Sequence, residues 1–387
     1  MKTSMTIKSI LLLTMGLFLS AALMAQDLYL PVTTKSKEAK TLYKQAVDAY
    51  YDFHYPKGYE LLNKALEKDP HFFMAYYLLT FKSDQAARNK YINLGANHTS
   101  KLNKGEKIIQ RVLKNLQADP NAGNIEEFKE LSETYKKNIF AHIMYAYVLS
   151  YNAQKADEAI VVLDKCLDLK SDLPVIYNLK GYTYLELEEF KKAEQAFDKY
   201  IALAPHLANP YDSKGDYYMA IKAYKYAAEN FEKAYEIDNS FDFSLEKANR
   251  AKWLMGKEML VMEVETLLED LLAAYNERDI DRYLEHYAQS PDFTFVMNGD
   301  VVTSWQKFAE MAREGHDKYS NWHVTIKKQY GEVITNEIVI ITQLFEYSST
   351  LKEGPPEMGT GCYTTVWQKK NNDWKIVHTI EAFPMKM

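Results

Sequence analysis

A repeat of fixed period constrains this chain more than any other feature. "YNLKGYTYLELEEFKKAEQAFDKYIALAP" (Tyr177–Pro205) is followed by "YDSKGDYYMAIKAYKYAAENFEKAYEIDN" (Tyr211–Asn239). Tyr177 and Tyr211, Gly181 and Gly215, Ala193 and Ala227, and Phe197 and Phe231 are each 34 residues apart. Such self-similarity predicts stacked helical units, each burying a face it cannot hide alone. Small residues at Gly181 and Ala193 let two antiparallel helices approach, while Tyr184, Phe190 and Phe197 fill the space between them. One period earlier, Ala159 and Cys166 keep the phase and Tyr147 replaces the glycine. Tyr55, Gly58, Leu62, Ala65 and Pro70 predict an N-terminal copy. Between Phe73 and Ile139 the pattern is helical but out of phase, with a loop near Asn93–Lys104 and a break at Asp119-Pro120. Ser244–Met255 is expected to cap the last apolar face before Gly256.

These aromatic, Gly, Ala and Pro positions resemble the tetratricopeptide repeat. The resemblance implies a solenoid whose inner groove is lined by Asn178, Tyr182, Leu185, Asp212, Asp216 and Met219. Clamps for a peptide's C-terminal carboxylate use Lys, Arg and Asn on that face. Here the groups are acidic and apolar, so such a clamp is not expected. The helix faces read as the solvated sides of a scaffold that engages a protein partner.

The chain has 387 residues, 47% hydrophobic and 13% aromatic, enough for more than one folded core. Its formal charge of −6 excludes nucleic acid as a general partner, because phosphate binding needs a basic face. At the N-terminus, Lys2 and Lys8 precede an apolar run, Ile10–Leu19, and then small residues. That order predicts a secretory signal cleaved after Ala22 or Ala25, with a run too short to span a bilayer. No membrane span is expected in the mature chain, whose charge becomes 45 − 53 = −8 once both lysines are lost. Cys166 and Cys362 are the only cysteines, so there is no disulfide framework.

Beyond Lys257 the pattern changes. "AAYNERDIDRYLEHYA" predicts helices, with Asp279 as an N-cap. "DFTFVMNGD" predicts a strand closed by Asn-Gly. "SWQKFAEMAREGHDKY" predicts a helix capped by Ser304, and four strands follow, with turns expected at Tyr330-Gly331 and Asn371-Asn372-Asp373. Helices followed by an antiparallel meander make an α+β unit.

"AAYNERDIDRYLEHYA" and the closing "TVWQKKNNDWKIVHTIEA" resemble the nuclear transport factor 2-like superfamily, in particular its SnoaL-like and ketosteroid-isomerase-like branches, over Glu258 to Phe383. The resemblance implies a curved antiparallel sheet wrapped around helices into a cone with a pocket at its mouth. The acid–base positions of the isomerases fall near Met297 and Leu271, which cannot move protons, so that chemistry is not expected.

The expected organisation is multidomain: a signal over 1–25, helical repeats over 26–256 and the cone over 257–387. The expected function is an exported, non-catalytic scaffold or binding protein. Its repeats would bind protein, and its cone would bind a small apolar ligand or form a homodimer through its sheet. Met297, Trp367 and His378 are the expected ligand contacts. The alternative is a SnoaL- or isomerase-type enzyme that moves protons through Glu346, Tyr363 and His378. No metal or cofactor is expected. Glu346 follows Ile338, Ile340, Thr342 and Leu344 at period two and could share a face with them. By the same rule His378 shares a buried face with Trp374, Ile376 and Ile380.

Overall fold

The computed structural model describes residues 28–81, 84–151, 155–170 and 172–383. The expected signal lies outside them. The chain divides into two compact units between Ala251 and Lys252.

The first unit is helical. Its helices are α1 (Lys37–Tyr51), α2 (Tyr55–Lys68), α3 (Phe73–Leu79), α4 (Gln85–Ala96), α5 (Lys104–Ala118) and α6 (Ile125–Thr134). There follow α7 (Ile139–Ser150), α8 (Ala156–Leu169), α9 (Pro174–Glu186), α10 (Phe190–Leu203), α11 (Asn209–Ala220) and α12 (Tyr224–Ile237). The loop expected near Asn93–Lys104 is shorter, 97–103, because α4 runs on through Asn93 to Ala96. Asn103 and Glu106 form a capping box that starts α5 after the loop, and Asp119 ends it. Within the repeats the small residues make close approaches. A Cβ on Gly181 would lie 2.5 Å from the Phe197 ring, and one on Gly215 would lie 2.5 Å from Phe231. Cys166 is fully buried in its small-residue slot, and both cysteines are free.

Two of the expected groove residues are consumed inside the unit. Asn178 and Asp212 are buried. Asp212 accepts from Ser244 Oγ at 2.6 Å and from Lys247 Nζ at 2.9 Å. Asp216 accepts from Lys247 at 3.0 Å and from the Tyr182 hydroxyl at 2.8 Å. These acids hold the last repeat to the helix that follows it; they are not a free acidic face.

That helix, α13, runs from Asp242 to Glu277 without interruption. The expected stop at Gly256 does not occur. A lone glycine costs a helix interior about 1 kcal/mol relative to alanine, and without a following proline it does not end one.

In the second unit α13 is followed by α14 (Ile280–Glu285), β1 (Thr294–Met297), β2 (Asp300–Val302) and α15 (Trp305–Lys318). Four long strands complete it: β3 (Tyr319–Thr335), β4 (Ile338–Leu351), β5 (Pro356–Lys370) and β6 (Asp373–Ala382). Asp279 and Ser304 cap α14 and α15 as expected. The sheet order is β2-β1-β6-β5-β4-β3. All neighbours are antiparallel except β1 and β6, which are parallel, so the sheet is not a pure meander. The β5–β6 turn holds Asn371 and Asn372 at φ of 52° and 66°, the left-handed region that asparagine tolerates.

Tyr330-Gly331 is not a turn: β3 passes straight through it. A Cβ on Gly331 would meet Val261 of α13 at 2.8 Å. This glycine admits the helix to the sheet. Two more close approaches lie on the opposite strand pair. Gly361 and Gly359 stand across from Phe345 and Tyr347, and a Cβ on Gly361 would lie 2.3 Å from the Phe345 ring. Aromatic rings lying over strand glycines are a device of curved sheets. The hairpin tip is tied to α13 by Glu263, which accepts from Lys369 Nζ and Trp374 Nε1, each at 2.9 Å.

Candidate ligand cavity

The final strand carries a bulge that sets the site. Val366 pairs with His378, but Trp367 pairs with Ile376, so Val377 is extra. An inserted residue moves every later side chain to the other face. Trp374 and Ile376 are buried, and beyond the bulge it is Thr379 that is buried while Ile380 is exposed. Glu381 therefore joins the inner face. Across the strands, Gln343, Tyr363, Glu381 and Met297 form one row.

Met297 and Glu381 of that row line a cavity of about 350 Å³. Tyr275 of α13, Tyr283 of α14, Phe308 and Met311 of α15, Phe295 and Met297 of β1, Trp322 of β3 and Phe383 line it. A smaller recess of about 60 Å³ shares Tyr275, Tyr283 and Glu381 and reaches Tyr363 and Gln343. Local bonds hold these walls. The Asn276 amide both donates to the Val324 carbonyl (3.0 Å) and accepts from the Val324 N–H (2.7 Å), locking α13 to β3. Trp322 stacks on Tyr347 with ring centroids 5.3 Å apart.

Glu381 faces both spaces. Among the described residues no hydrogen bond or ion pair reaches its carboxyl, and burial pushes it up to about 7. Burial also holds the Tyr275 phenol well above its usual range, with the neighbouring Glu381 adding to the effect. At the cavity mouth, Arg278 donates to the backbone carbonyls of Ser320 (2.7 Å) and His316 (2.8 Å). Lys318 and Glu314 there are exposed.

The residues singled out from the sequence separate in space. Met297 lines the cavity. Tyr363 reaches the recess, its hydroxyl 2.5 Å from that of Tyr287, which in turn donates to Tyr283 at 2.6 Å. Trp367 is fully buried in the core, its indole N–H on Thr365, and does not line the cavity. His378 is half-buried on the outer face, bonded through Nδ1 to the Thr294 hydroxyl. The expectation that it shares the face of Trp374 and Ile376 fails because of the bulge. Glu346 is exposed and paired with Lys327 at 2.9 Å, outside the cone, since the buried side of β4 is Val339, Ile341, Gln343 and Phe345. Glu381 was missed. Its only sequence signal is its place two residues beyond Thr379, readable only once the bulge is known.

Among the described residues there is no cluster of three or more His, Cys, Asp or Glu side chains able to hold a metal ion. No helix among them is long and apolar enough to cross a membrane.

A helical-repeat unit followed by an α+β cone with an aromatic-walled cavity is the class that fold and site define. Residues 264–386 match the family model of the SnoaL-like domain, and residues 174–207 match that of the tetratricopeptide repeat. The chain thus joins tetratricopeptide-type helices to a SnoaL-like domain. Among solved structures it is similar to a nuclear transport factor 2-like superfamily protein from Salmonella enterica serovar Typhimurium, at 18% identity over 34% of this chain and 94% of that one, TM-score 0.31. It is similar to an NTF-2 like protein from Shewanella oneidensis at 20% identity over 31% and 95%, TM-score 0.26. A hexachlorocyclohexane dehydrochlorinase from Novosphingobium barchaimii matches at 12% identity over 33% and 90%, TM-score 0.29. No curated protein matches.

Proposed function

We propose that the cone binds a small, largely apolar molecule and that the helical repeats dock a protein partner, in a chain exported after loss of its N-terminal signal. The cavity carries this reading. Its volume of about 350 Å³ falls within the ~300–1,000 Å³ of small-molecule sites, and its walls are mainly aromatic and methionine side chains. For the repeats, support comes from the exposed aromatics Tyr55, Phe81, Tyr147 and Tyr151. Aromatic side chains are enriched at protein interfaces. Leu344 and Ile380, exposed on the outer face of the sheet, support pairing of two cones there.

The test is titration of the mature chain with Nile red, an apolar dye that brightens on leaving water. Binding that is lost in Ala312→Phe, where a ring enters the cavity, supports the reading. Binding equal in both proteins, or none in either, overturns it.

A second reading, an acid–base enzyme of SnoaL type, draws on Glu381 alone: a carboxyl titrating near neutrality is suited to proton transfer. Turnover abolished by Glu381→Gln with ligand affinity retained would favour it.

A further inference from the structure

The cavity holds a carboxyl that no protein cation answers among the described residues. Glu381 projects from β6 between Tyr363 of β5 and Met297 of β1, its partners in the ladder. From the helices it faces Tyr275 and Tyr283, whose phenols burial keeps protonated. The other charged groups lining the cavity are bonded to backbone or exposed. Arg278 is turned onto two backbone carbonyls, His316 Nε2 meets the Arg278 carbonyl at 2.8 Å, and Lys318 and Glu314 face solvent.

An ionised carboxyl in such a space is costly unless a counter-charge reaches it. A cation entering from outside supplies one, and the surrounding ring faces add cation–π attraction. Resting on the reading of this cavity as a small-molecule site, we propose that its ligand is a small apolar amine. The protonated nitrogen pairs with Glu381, and the hydrocarbon body lies among Phe295, Met297, Phe308 and Trp322. A neutral molecule of the same shape leaves the carboxyl unanswered, and an acid is repelled by it.

The sign of the pH dependence follows. Burial pushes Glu381 up to about 7. An alkylamine, like a lysine side chain near ~10, stays charged across that range. Amine affinity therefore rises from about pH 5.5 to about pH 8 as Glu381 ionises, and binding in the acid half of that window releases a proton.

Isothermal titration calorimetry on the intact mature chain tests this, with phenylalkylamines from benzylamine to phenylbutylamine, each against its alcohol. The expected result is an amine bound about tenfold tighter than its alcohol near pH 8. The preference shrinks in acid, and Glu381→Gln removes it, with the circular dichroism spectrum and melting of the variant showing separately that it is folded. Alcohols binding as tightly as amines, or a preference that survives Glu381→Gln, overturns the amine assignment and leaves the apolar site standing. If neither series binds, the site reading falls and the amine assignment with it.

Discussion

Glu381 stands directly across the β5–β6 ladder from Tyr363, yet the Tyr363 hydroxyl is turned to Tyr287 at 2.5 Å. The one phenol in register with the carboxyl is thus held by other phenols. Glu381 is left to the cavity, and the consequences of its surroundings can be measured.

The first is a pH dependence of stability. The Glu381 carboxyl binds its proton more tightly in the folded chain, up to about 7 against an ordinary 4.5, because burial disfavours its charge. Between those values the folded state holds more protons than the unfolded state, so stability falls as pH rises through the window. The contribution, present below 4.5, is lost by pH 7 and beyond, and amounts to on the order of 3 kcal/mol. Glu381→Gln should therefore raise the melting temperature near pH 8 and change it little near about pH 4. Thermal melts of both proteins across this range check the sign.

His378→Ala should cost little. The side chain lies half-buried on the outer face with Thr294 as its partner, so its loss removes one hydrogen bond, worth about 1 kcal/mol. Nile red affinity should not change. Chemical denaturation and dye titration of one sample measure both.

Two glycines should respond in opposite directions. At Gly361 a Cβ would sit 2.3 Å from the Phe345 ring, and alanine there should destabilise the cone by about 1–3 kcal/mol as the ring is displaced. At Gly256 nothing lies within 4 Å of a Cβ and the backbone is helical, so alanine should stabilise by about 0.5–1 kcal/mol. Equilibrium unfolding of the two variants separates a packing glycine from an idle one.

Much of this architecture was legible beforehand, for identifiable reasons. A period of 34 residues is a local, repeated signal, and Gly181 against Phe197 realises it. Asn371-Asn372 announces a turn because both residues tolerate positive φ. Gly331 misled because one residue serves two needs, a turn or a close approach, and only Val261 on the facing helix decides between them. The parallel pairing of β1 with β6 joins Thr294 to His378 across 84 residues, which no local pattern encodes. The bulge at Val377 mattered most. A β-branched residue inside an apolar strand carries no mark of being extra, so counting by twos placed His378 inside and Glu381 out.

Export is tested by mass. The apolar run Ile10–Leu19 is read as a signal, so protein recovered from the extracytoplasmic fraction should begin after Ala22 or Ala25. An intact mass that includes Met1 in that fraction contradicts it.

Glu381 points into a largely apolar cavity. A carbon-13 NMR titration of the Glu381 side-chain carboxyl reads this most directly, with Glu381→Gln used to assign the resonance. The expected midpoint is about 7, and it moves when an apolar amine is added. A midpoint near the ordinary 4.5, unmoved by amine, would mean a solvated carboxyl outside the cavity and would contradict this placement.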